Sequence, residues 1–171
     1  MSPPVVRTIT LRPTAAADER FLYELYASTR AEELAPLGWD AAQLATFLKM
    51  QFAAQTRSYR REFPDAAFDL ILVDEQPAGQ LYVDRQLAEL RIVDIALLPE
   101  FRNAGVGTHL LRGLQADVAR SGGAIRLHVD RSNRALDLYT RLGFQVVADS
   151  GVYVQMVWQP SAATAGGPAP P

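Results

Sequence analysis

A predicted strand, a turn containing two glycines and a predicted helix follow one another directly near the middle of the 171-residue chain. The strand covers Leu90 to Leu98 and is ended by Pro99, and the apolar spacing of a helix runs from Gly105 to about Ala119. Gly105 and Gly107 carry no side chain where the backbone must turn sharply, so the amides at the start of the helix can point together at an anion. The helix dipole adds to that attraction. The segment therefore favours an α/β fold with a phosphate-binding turn.

Two well-known glycine motifs fit this turn poorly. The Rossmann fingerprint needs a third glycine. The Walker loop needs Gly-Lys-Ser/Thr, where this chain has Gly107-Thr108-His109. A dinucleotide fold and a nucleoside triphosphatase are therefore both disfavoured.

The remaining periodicities complete a predicted element order of βααβββαβαββ. Arg12-Pro13 ends the first strand, acidic residues at Asp18 and Glu19 begin the first helix, and Asp40 is the expected N-cap of the second. The helical period is lost from Ser28 to Gly38. The other predicted elements are strand Val5–Leu11, a second helix ending near Phe63-Pro64, a hairpin of Phe68–Val73 and Gln80–Val83 joined through residues 74–79, strand Ile125–Val129, helix Asn133–Leu142, and strands Phe144–Val147 and Val152–Trp158.

Length and composition fit one ordinary domain, since 49% of the residues are apolar and can form a core. We expect that domain to cover residues 1–159. From Pro160 to Pro171 the chain is almost entirely Ala, Pro, Gly, Ser and Thr, which cannot bury apolar surface, so a disordered tail is expected there.

Charge and residue usage exclude several classes of function. A formal net charge of −2 gives no reason to expect nucleic acid or an anionic membrane as a partner. The chain has no cysteine and two histidines, too few for a typical zinc cluster, so no metal is expected. The N-terminus lacks the regions of a signal peptide and no apolar run approaches ~20 residues, which favours a cytoplasmic location.

Two motifs, Arg102-x-x-Gly105-x-Gly107 and the segment from Asn133 to Phe144, follow one another in the chain and together resemble the GCN5-related N-acetyltransferase (GNAT) superfamily. Arg102-x-x-Gly105-x-Gly107 after a strand is similar to its Gln/Arg-x-x-Gly-x-Gly/Ala pyrophosphate motif. The segment from Asn133 to Phe144 is similar to its downstream Asn…Ala…Leu-Tyr…Leu-Gly-Phe segment. The resemblance covers roughly Val5 to Trp158. One departure is that Asn133 lies two residues before Ala135, where many relatives have three.

The resemblance implies acetyl-CoA as cosubstrate and a mixed sheet that splays beside Ala96 and Leu97, where the pantetheine arm would pair with a strand edge. Amides from Asn103 to Thr108 would hold the pyrophosphate, and the backbone N–H near Leu97 would polarise the thioester carbonyl. The predicted cofactor-binding residues are Ala96, Leu97, Leu98, Arg102, Asn103, Ala104, Gly105, Val106, Gly107, Thr108, Asn133 and Tyr139.

The resemblance also implies catalytic roles. Tyr139 matches the family position that protonates the departing thiolate, although a core aromatic is the plainer interpretation. His128 stands where some relatives place a glutamate base, so its neutral imidazole could take the amine proton; a histidine beside the core is the alternative. Asp94 interrupts an apolar strand, which indicates a bulge, a hydrogen bond or an alternative base. His109 is expected on a solvated helical face.

The acceptor is expected to be an amine, and its site to lie outside the cofactor motifs. Five residues could hold a cationic amine by charge or ring contact, or could simply belong to a solvated loop: Glu32, Glu33, Trp39, Tyr82 and Asp84. Two functions remain open: an N-acetyltransferase, and a noncatalytic acyl-CoA-binding sensor. A homodimer through sheet edges is compatible with either.

Overall fold

The predicted element order is confirmed. The computed structural model describes residues 7–161, and within them the strands and helices follow one another in the predicted order. The predicted strand Val5–Leu11 and the predicted disordered tail from Pro160 lie partly outside this range. For residues 5, 6 and 162–171 these assignments therefore stay predictions. The elements are β1 Ile9–Pro13, α1 Glu19–Leu34, α2 Ala41–Glu62, β2 Ala67–Val73, β3 Gln76–Arg85, β4 Glu89–Leu97, α3 Val106–Ser121, β5 Ala124–Asp130, α4 Ala135–Arg141, β6 Gln145–Asp149 and β7 Tyr153–Trp158.

The strands have the order β1-β2-β3-β4-β5-β7-β6, which confirms the predicted α/β fold class. The pairs β1–β2, β2–β3, β5–β7 and β6–β7 are antiparallel. The chain divides into two compact units: one holds residues up to Arg85 together with Ile92–Gly107, and the other holds Gln86–Arg91 together with the chain from Thr108 onward. A single domain over residues 1–159 stays a prediction.

The ends of β1 and α1 in the first unit differ from the predictions. Strand β1 runs on to Pro13, which pairs with Asp69 at the strand end, where the missing N–H of proline is tolerated. Helix α1 continues to Leu34, because Leu34 joins a buried cluster with Tyr26 and Leu48 that the helical period alone did not reveal. Tertiary packing therefore outweighed the local pattern there.

The β2–β3 hairpin is tighter than the predicted connection of residues 74–79. Its turn is only Asp74 and Glu75, both at positive φ (50° and 66°), which matches the twist of paired strands. Strand β3 begins directly after this turn. Its register with β2 shifts between Ile71, which pairs with Gly79, and Leu72, which pairs with Pro77. The hairpin core is fully buried, with Leu70 and Ile71 at 0% exposure.

Helix α2 begins as the sequence predicts. The Asp40 carboxylate accepts from the amide of Gln43 at 2.8 Å, and the Gln43 side chain accepts from the Asp40 amide at 3.2 Å. This reciprocal capping box satisfies two amides that the helix leaves unpaired. The helix then carries Phe52 toward Tyr23 and Tyr26 of α1, with ring centroids 5.8 Å apart in both pairs.

In the second unit, β5 alternates buried and more exposed residues, with Ile125, Leu127 and Val129 facing the core. Gln115 of α3 donates to the carbonyl of Leu142 at 2.7 Å and so satisfies an acceptor at the end of α4. Gly143 at φ 89° then lets the chain leave that helix, as predicted.

Close backbone contact with β3 fixes the end of β4, where the predicted turn begins. A Cβ atom added to Gly79 would lie 2.1 Å from the carbonyl oxygen of Ala96 and 2.9 Å from Cδ2 of Leu97. The amide of Leu98 donates to the carbonyl of Ala78 at 2.9 Å. Only glycine at position 79 allows this approach.

We expect Gly79→Ala to destabilise the protein by roughly 1–3 kcal/mol, because a backbone carbonyl cannot move aside as a side chain would. Gly113→Ala is the matched control: it lies in α3 with nothing within 4 Å of its added Cβ, so it should be neutral or stabilise by a few tenths of a kcal/mol to about 1 kcal/mol. Urea unfolding of both variants measures the difference. Equal stability of the two would contradict the close approach.

Candidate functional site

The turn after β4 has a backbone that only a few residue types adopt. After Leu97, residues Pro99–Phe101 form a short 3-10 turn, and Nε of Arg102 donates to the carbonyl of Leu97 at 2.9 Å. Asn103 then takes φ 55° and Gly105 takes φ 80°. Both lie in the left-handed region, which glycine and asparagine tolerate best. The arginine of the motif thus closes the turn onto the strand that precedes it.

The turn presents unpaired amides to solvent. Asn103, Ala104 and Gly105 are exposed, and within residues 7–161 their backbone N–H groups have no hydrogen-bond partner. Val106, which starts α3, is buried at 1% exposure and anchors the helix. Consecutive free amides at a helix start are the arrangement that binds phosphate groups.

The predicted cofactor-binding residues of the first unit divide into two groups. Residues from Asn103 to Gly107 form the turn and the start of the helix, in which Gly107 is partly buried. The amide of Leu98, by contrast, is already bonded to Ala78, so that residue has no free N–H for a ligand. Ala96 and Leu97 are partly buried at the end of β4.

A cavity of about 840 Å³ lies in the same unit, between helices α1 and α2 and strands β2 and β3. Six aromatic side chains contribute to its wall. Its floor includes Gln80, whose side chain is 8% exposed. Volume and apolar lining are those of a small-molecule site. The aromatic residues that line it are Tyr23, Tyr26, Phe52, Tyr59, Phe68 and Tyr82.

Asp94 of β4 lies behind that floor. The side-chain amide of Gln80 donates to its carboxylate. Burial raises the pKa of Asp94 to about 6, against the opposing effect of hydrogen bonds from Gln80 and from the Ile95 backbone. A carboxylate with a pKa near neutrality, beside a cavity, is a candidate proton acceptor.

The phenols of Tyr59 and Tyr82 are close enough to this carboxylate to be affected by its charge. Burial, and then the charge of Asp94, raise the pKa of Tyr82 to about 12 and move the pKa of Tyr59 upward as well. The rings of Tyr59 and Tyr82 are 6.1 Å apart, and Phe68 lies 4.8 Å from Tyr82. Both phenols therefore keep their protons at neutral pH and remain hydrogen-bond donors.

In the second unit, the predicted motif residues have well-defined local roles. The side chain of Asn133 accepts from the amide of Ala135 at 2.8 Å, which is the helix-capping interpretation of that residue. Tyr139 is 5% exposed and packs edge-on against Phe144 at 5.6 Å. Thr108 is partly buried in the first turn of α3.

His128 is exposed on β5, opposite Gln155 of β7. Its pKa lies below the usual value, first because of partial burial and then because of the positive charges of Arg91 and Arg126. Glu89 opposes that effect while it pairs with Arg126 at 2.9 Å. These surroundings favour a neutral imidazole.

Of the five residues expected to hold the acceptor, Tyr82 lines the cavity and the other four do not. Glu33 pairs with Arg30 at 3.0 Å, and the ring of Trp39 packs 5.0 Å from Phe47. Asp84 is buried at 7% exposure. Sequence reasoning missed Tyr59, Phe52 and Tyr23 as cavity residues. The aromatic spacing along α1 and α2 was their only sequence signal, and core packing explains that spacing equally well.

Within residues 7–161, no group of histidine and carboxylate side chains is arranged to hold a metal ion. None of the described helices combines the length and the apolar character needed to cross a membrane.

Comparison with known proteins identifies the fold. The sequence matches the Acetyltransferase (GNAT) domain family over residues 29–160. No curated protein has a significant sequence match. A crystal structure of PaiA N-acetyltransferase from Thermoplasma acidophilum in complex with coenzyme A is similar, with a TM-score of 0.67, 18% identity, and coverage of 90% of this chain and 99% of that one.

Two further crystal structures share the fold. The ribosomal-protein-S18-alanine N-acetyltransferase from Escherichia coli has a TM-score of 0.60 at 20% identity and covers 95% of this chain and 100% of its own. An acetyltransferase from Thermus thermophilus has a TM-score of 0.64 at 18% identity, over 90% and 97% of the two chains. With the family match spanning most of the sequence, the chain belongs to the GNAT acetyltransferase family.

Proposed function

We propose that this acetyltransferase binds acetyl-CoA and transfers the acetyl group to a primary amine by direct attack. The observation that carries the proposal is the turn after β4, where three consecutive amides are exposed without partners. They suit the pyrophosphate of coenzyme A, and a structure with the same fold was crystallised with that molecule.

In the proposed reaction the ammonium group of the acceptor loses one proton to a base of the protein. The nitrogen then attacks the thioester carbonyl carbon, loses a second proton, and the carbon–sulfur bond breaks. The departing thiolate takes up one proton. The products are an amide, the free thiol of coenzyme A and one proton released to solvent, so no covalent enzyme intermediate is needed.

We assign the base to Asp94. It lies beside the cavity, burial brings its pKa to about 6, and Gln80 orients its carboxylate. It is therefore mostly ionised at neutral pH and still basic enough to accept a proton. His128, the base predicted from the sequence, is the competing assignment. Its neutral imidazole could also accept a proton, so the two are separated by experiment below.

Tyr139 is proposed as the acid that protonates the thiolate. This role rests on its match to the family segment ending in Leu142-Gly143-Phe144. Its edge-on contact with Phe144 holds the ring in place whether or not it serves as the acid.

A sensor that binds acyl-CoA without catalysis is the second candidate, and it shares the turn. Asp94 favours the enzyme, since a carboxylate hydrogen-bonded by Gln80 beside the cavity, with a pKa raised to about 6, can accept a proton near neutral pH. A homodimer stays a proposal. Edge strand β6 is exposed along its whole length and includes Val146 and Val147, which suits strand pairing between copies.

The turn is tested by Gly105→Glu, which forces a side chain into the left-handed backbone and places a negative charge beside the phosphates. We expect coenzyme A affinity to fall at least ~10-fold in calorimetry. Thiol release from acetyl-CoA across a panel of amines, with mass detection of the acetylated product, should fall with it.

Gly113→Glu is the matched control, because it adds the same charge to an open position of α3. It should leave affinity and turnover unchanged. Undiminished coenzyme A affinity in a folded Gly105→Glu protein would rule out the proposed pyrophosphate site. Coenzyme A binding with no acetylated product for any amine would favour the sensor.

The base is tested by Asp94→Asn, which keeps an acceptor for Gln80 but cannot take a proton. We expect kcat to fall ~10²-fold with coenzyme A affinity unchanged. In the wild type, kcat/KM should fall as the pH drops through about 6, because the carboxylate becomes protonated there. In the variant that dependence should disappear.

His128→Gln and Tyr139→Phe complete the comparison. His128→Gln should retain the fall in kcat/KM at acidic pH. Tyr139→Phe should lower kcat without shifting the pH at which kcat/KM falls. If His128→Gln abolishes the acidic limb and Asp94→Asn keeps it, the base is His128 and the assignment to Asp94 is wrong.

A further inference from the structure

The rim of the cavity in the first unit is strongly basic. Arg20, Lys49, Arg57 and Arg60 line it, against a single acidic residue, Glu19. Arg20 is paired with Glu24 at 3.0 Å. Within residues 7–161, the other three cations have no carboxylate partner. The protein as a whole has a formal charge of −2, so the concentration of positive charge is local.

The three unpaired cations all belong to α2. Arg60 has an explanation within the fold, since it lies in the last turn of the helix and its guanidinium is 5.0 Å from the ring centroid of Phe68. Arg57 lies three residues earlier, where two like charges on one helix face repel each other. Lys49 lies about 12 Å before Arg57 along the helix axis. Neither Lys49 nor Arg57 is accounted for by capping or pairing.

The sheet side of the cavity, formed by Phe68, Gln80 and Tyr82, carries no charged lining residue. Its floor is the buried side chain of Gln80, held by the carboxylate of Asp94. The cations are exposed at the rim, whereas the rings of Tyr59, Phe68 and Tyr82 between rim and floor are partly buried. A bound molecule therefore meets the Gln80 side chain, which donates to the Asp94 carboxylate behind it, aromatic rings along its middle, and positive charge on the α2 side.

We propose that the acceptor is a small amphoteric amine: a primary amine joined through an apolar or ring-bearing body to an anionic group, carboxylate or phosphate. This inference rests on the transferase function proposed above and names its substrate class. The amine lies toward Gln80 and the Asp94 carboxylate behind it, which takes the proton, and the anion lies beside Arg57 and Arg60, with Lys49 farther along α2. The volume of about 840 Å³ accommodates a molecule of that size.

The inference reverses the expectation that acidic residues hold a cationic acceptor. Glu32, Glu33 and Asp84 do not line the cavity. A polyamine would place its second positive charge among the cations of α2, at a cost in electrostatic free energy. An anionic group there relieves the repulsion between Arg57 and Arg60 and gains charge-assisted hydrogen bonds.

The test uses amines that differ only in the anionic group. Tyramine O-phosphate is compared with tyramine, and 4-(aminomethyl)benzoate with 4-methylbenzylamine, and spermidine is the cationic comparator. For each, kcat/KM is measured by thiol release at saturating acetyl-CoA, and binding is measured separately by calorimetry. We expect the anionic member of at least one pair to have a kcat/KM at least ~10-fold above its neutral partner. The pair that responds distinguishes phosphate from carboxylate.

Charge-neutralising variants of α2 locate the effect. Arg57→Gln should lower the ratio of kcat/KM between the anionic and the neutral member by about 5- to 10-fold, and Lys49→Gln should lower it less, because Lys49 lies farther along the helix. Arg61→Gln is the matched control, because Arg61 is exposed on the same helix but does not line the cavity. It should leave the ratio unchanged.

The outcomes separate this inference from the function on which it rests. Preference for a neutral amine or for spermidine, or an equal fall of the ratio in Arg61→Gln, would overturn the inference while the transferase stands. Tighter calorimetric binding of the anionic member without any acetylation would support the recognition site and sink the transferase. If the anionic amines show no binding and no turnover, the inference is overturned.

Discussion

The backbone contact between β3 and β4 is the constraint on which the rest of the candidate site depends. Gly79 allows the two strands to approach so closely that a Cβ atom there would overlap the carbonyl of Ala96. The same pair of strands holds Leu98 through the carbonyl of Ala78 and Asp94 through the side chain of Gln80. One strand therefore positions both the start of the turn after β4 and the carboxylate beside the cavity.

The environment of the Asp94 carboxylate has a cost in stability. Its pKa rises from 3.8 to about 6, which corresponds to roughly 3 kcal/mol that the folded state loses at neutral pH relative to an unshifted carboxylate. Because the folded-state pKa is raised, this term favours folding below about pH 4 and is lost as the pH rises through 6. A carboxylate held ionised at that cost fits a group that must accept a proton.

Much of the fold followed from the sequence, and the residues show why. Helix starts and ends were predictable where local chemistry sets them, as at the Asp40 cap and at Gly143. The turn around Gly105 was predictable because its left-handed backbone favours glycine. Helix α1 beyond Ser28 was not, since its last turns depend on packing between Leu34 and Leu48. The aromatic cavity was also hidden, because core residues and cavity residues have the same spacing on a helix.

The central claim is that the amides of Asn103, Ala104 and Gly105 bind the pyrophosphate of coenzyme A. Amide hydrogen exchange measures this directly, residue by residue, with saturating coenzyme A and with pantetheine, which lacks the pyrophosphate. The account predicts that these three exposed amides become protected by coenzyme A and much less by pantetheine. Equal protection by both ligands, or protection by coenzyme A that leaves residues 103–105 unchanged, would contradict it.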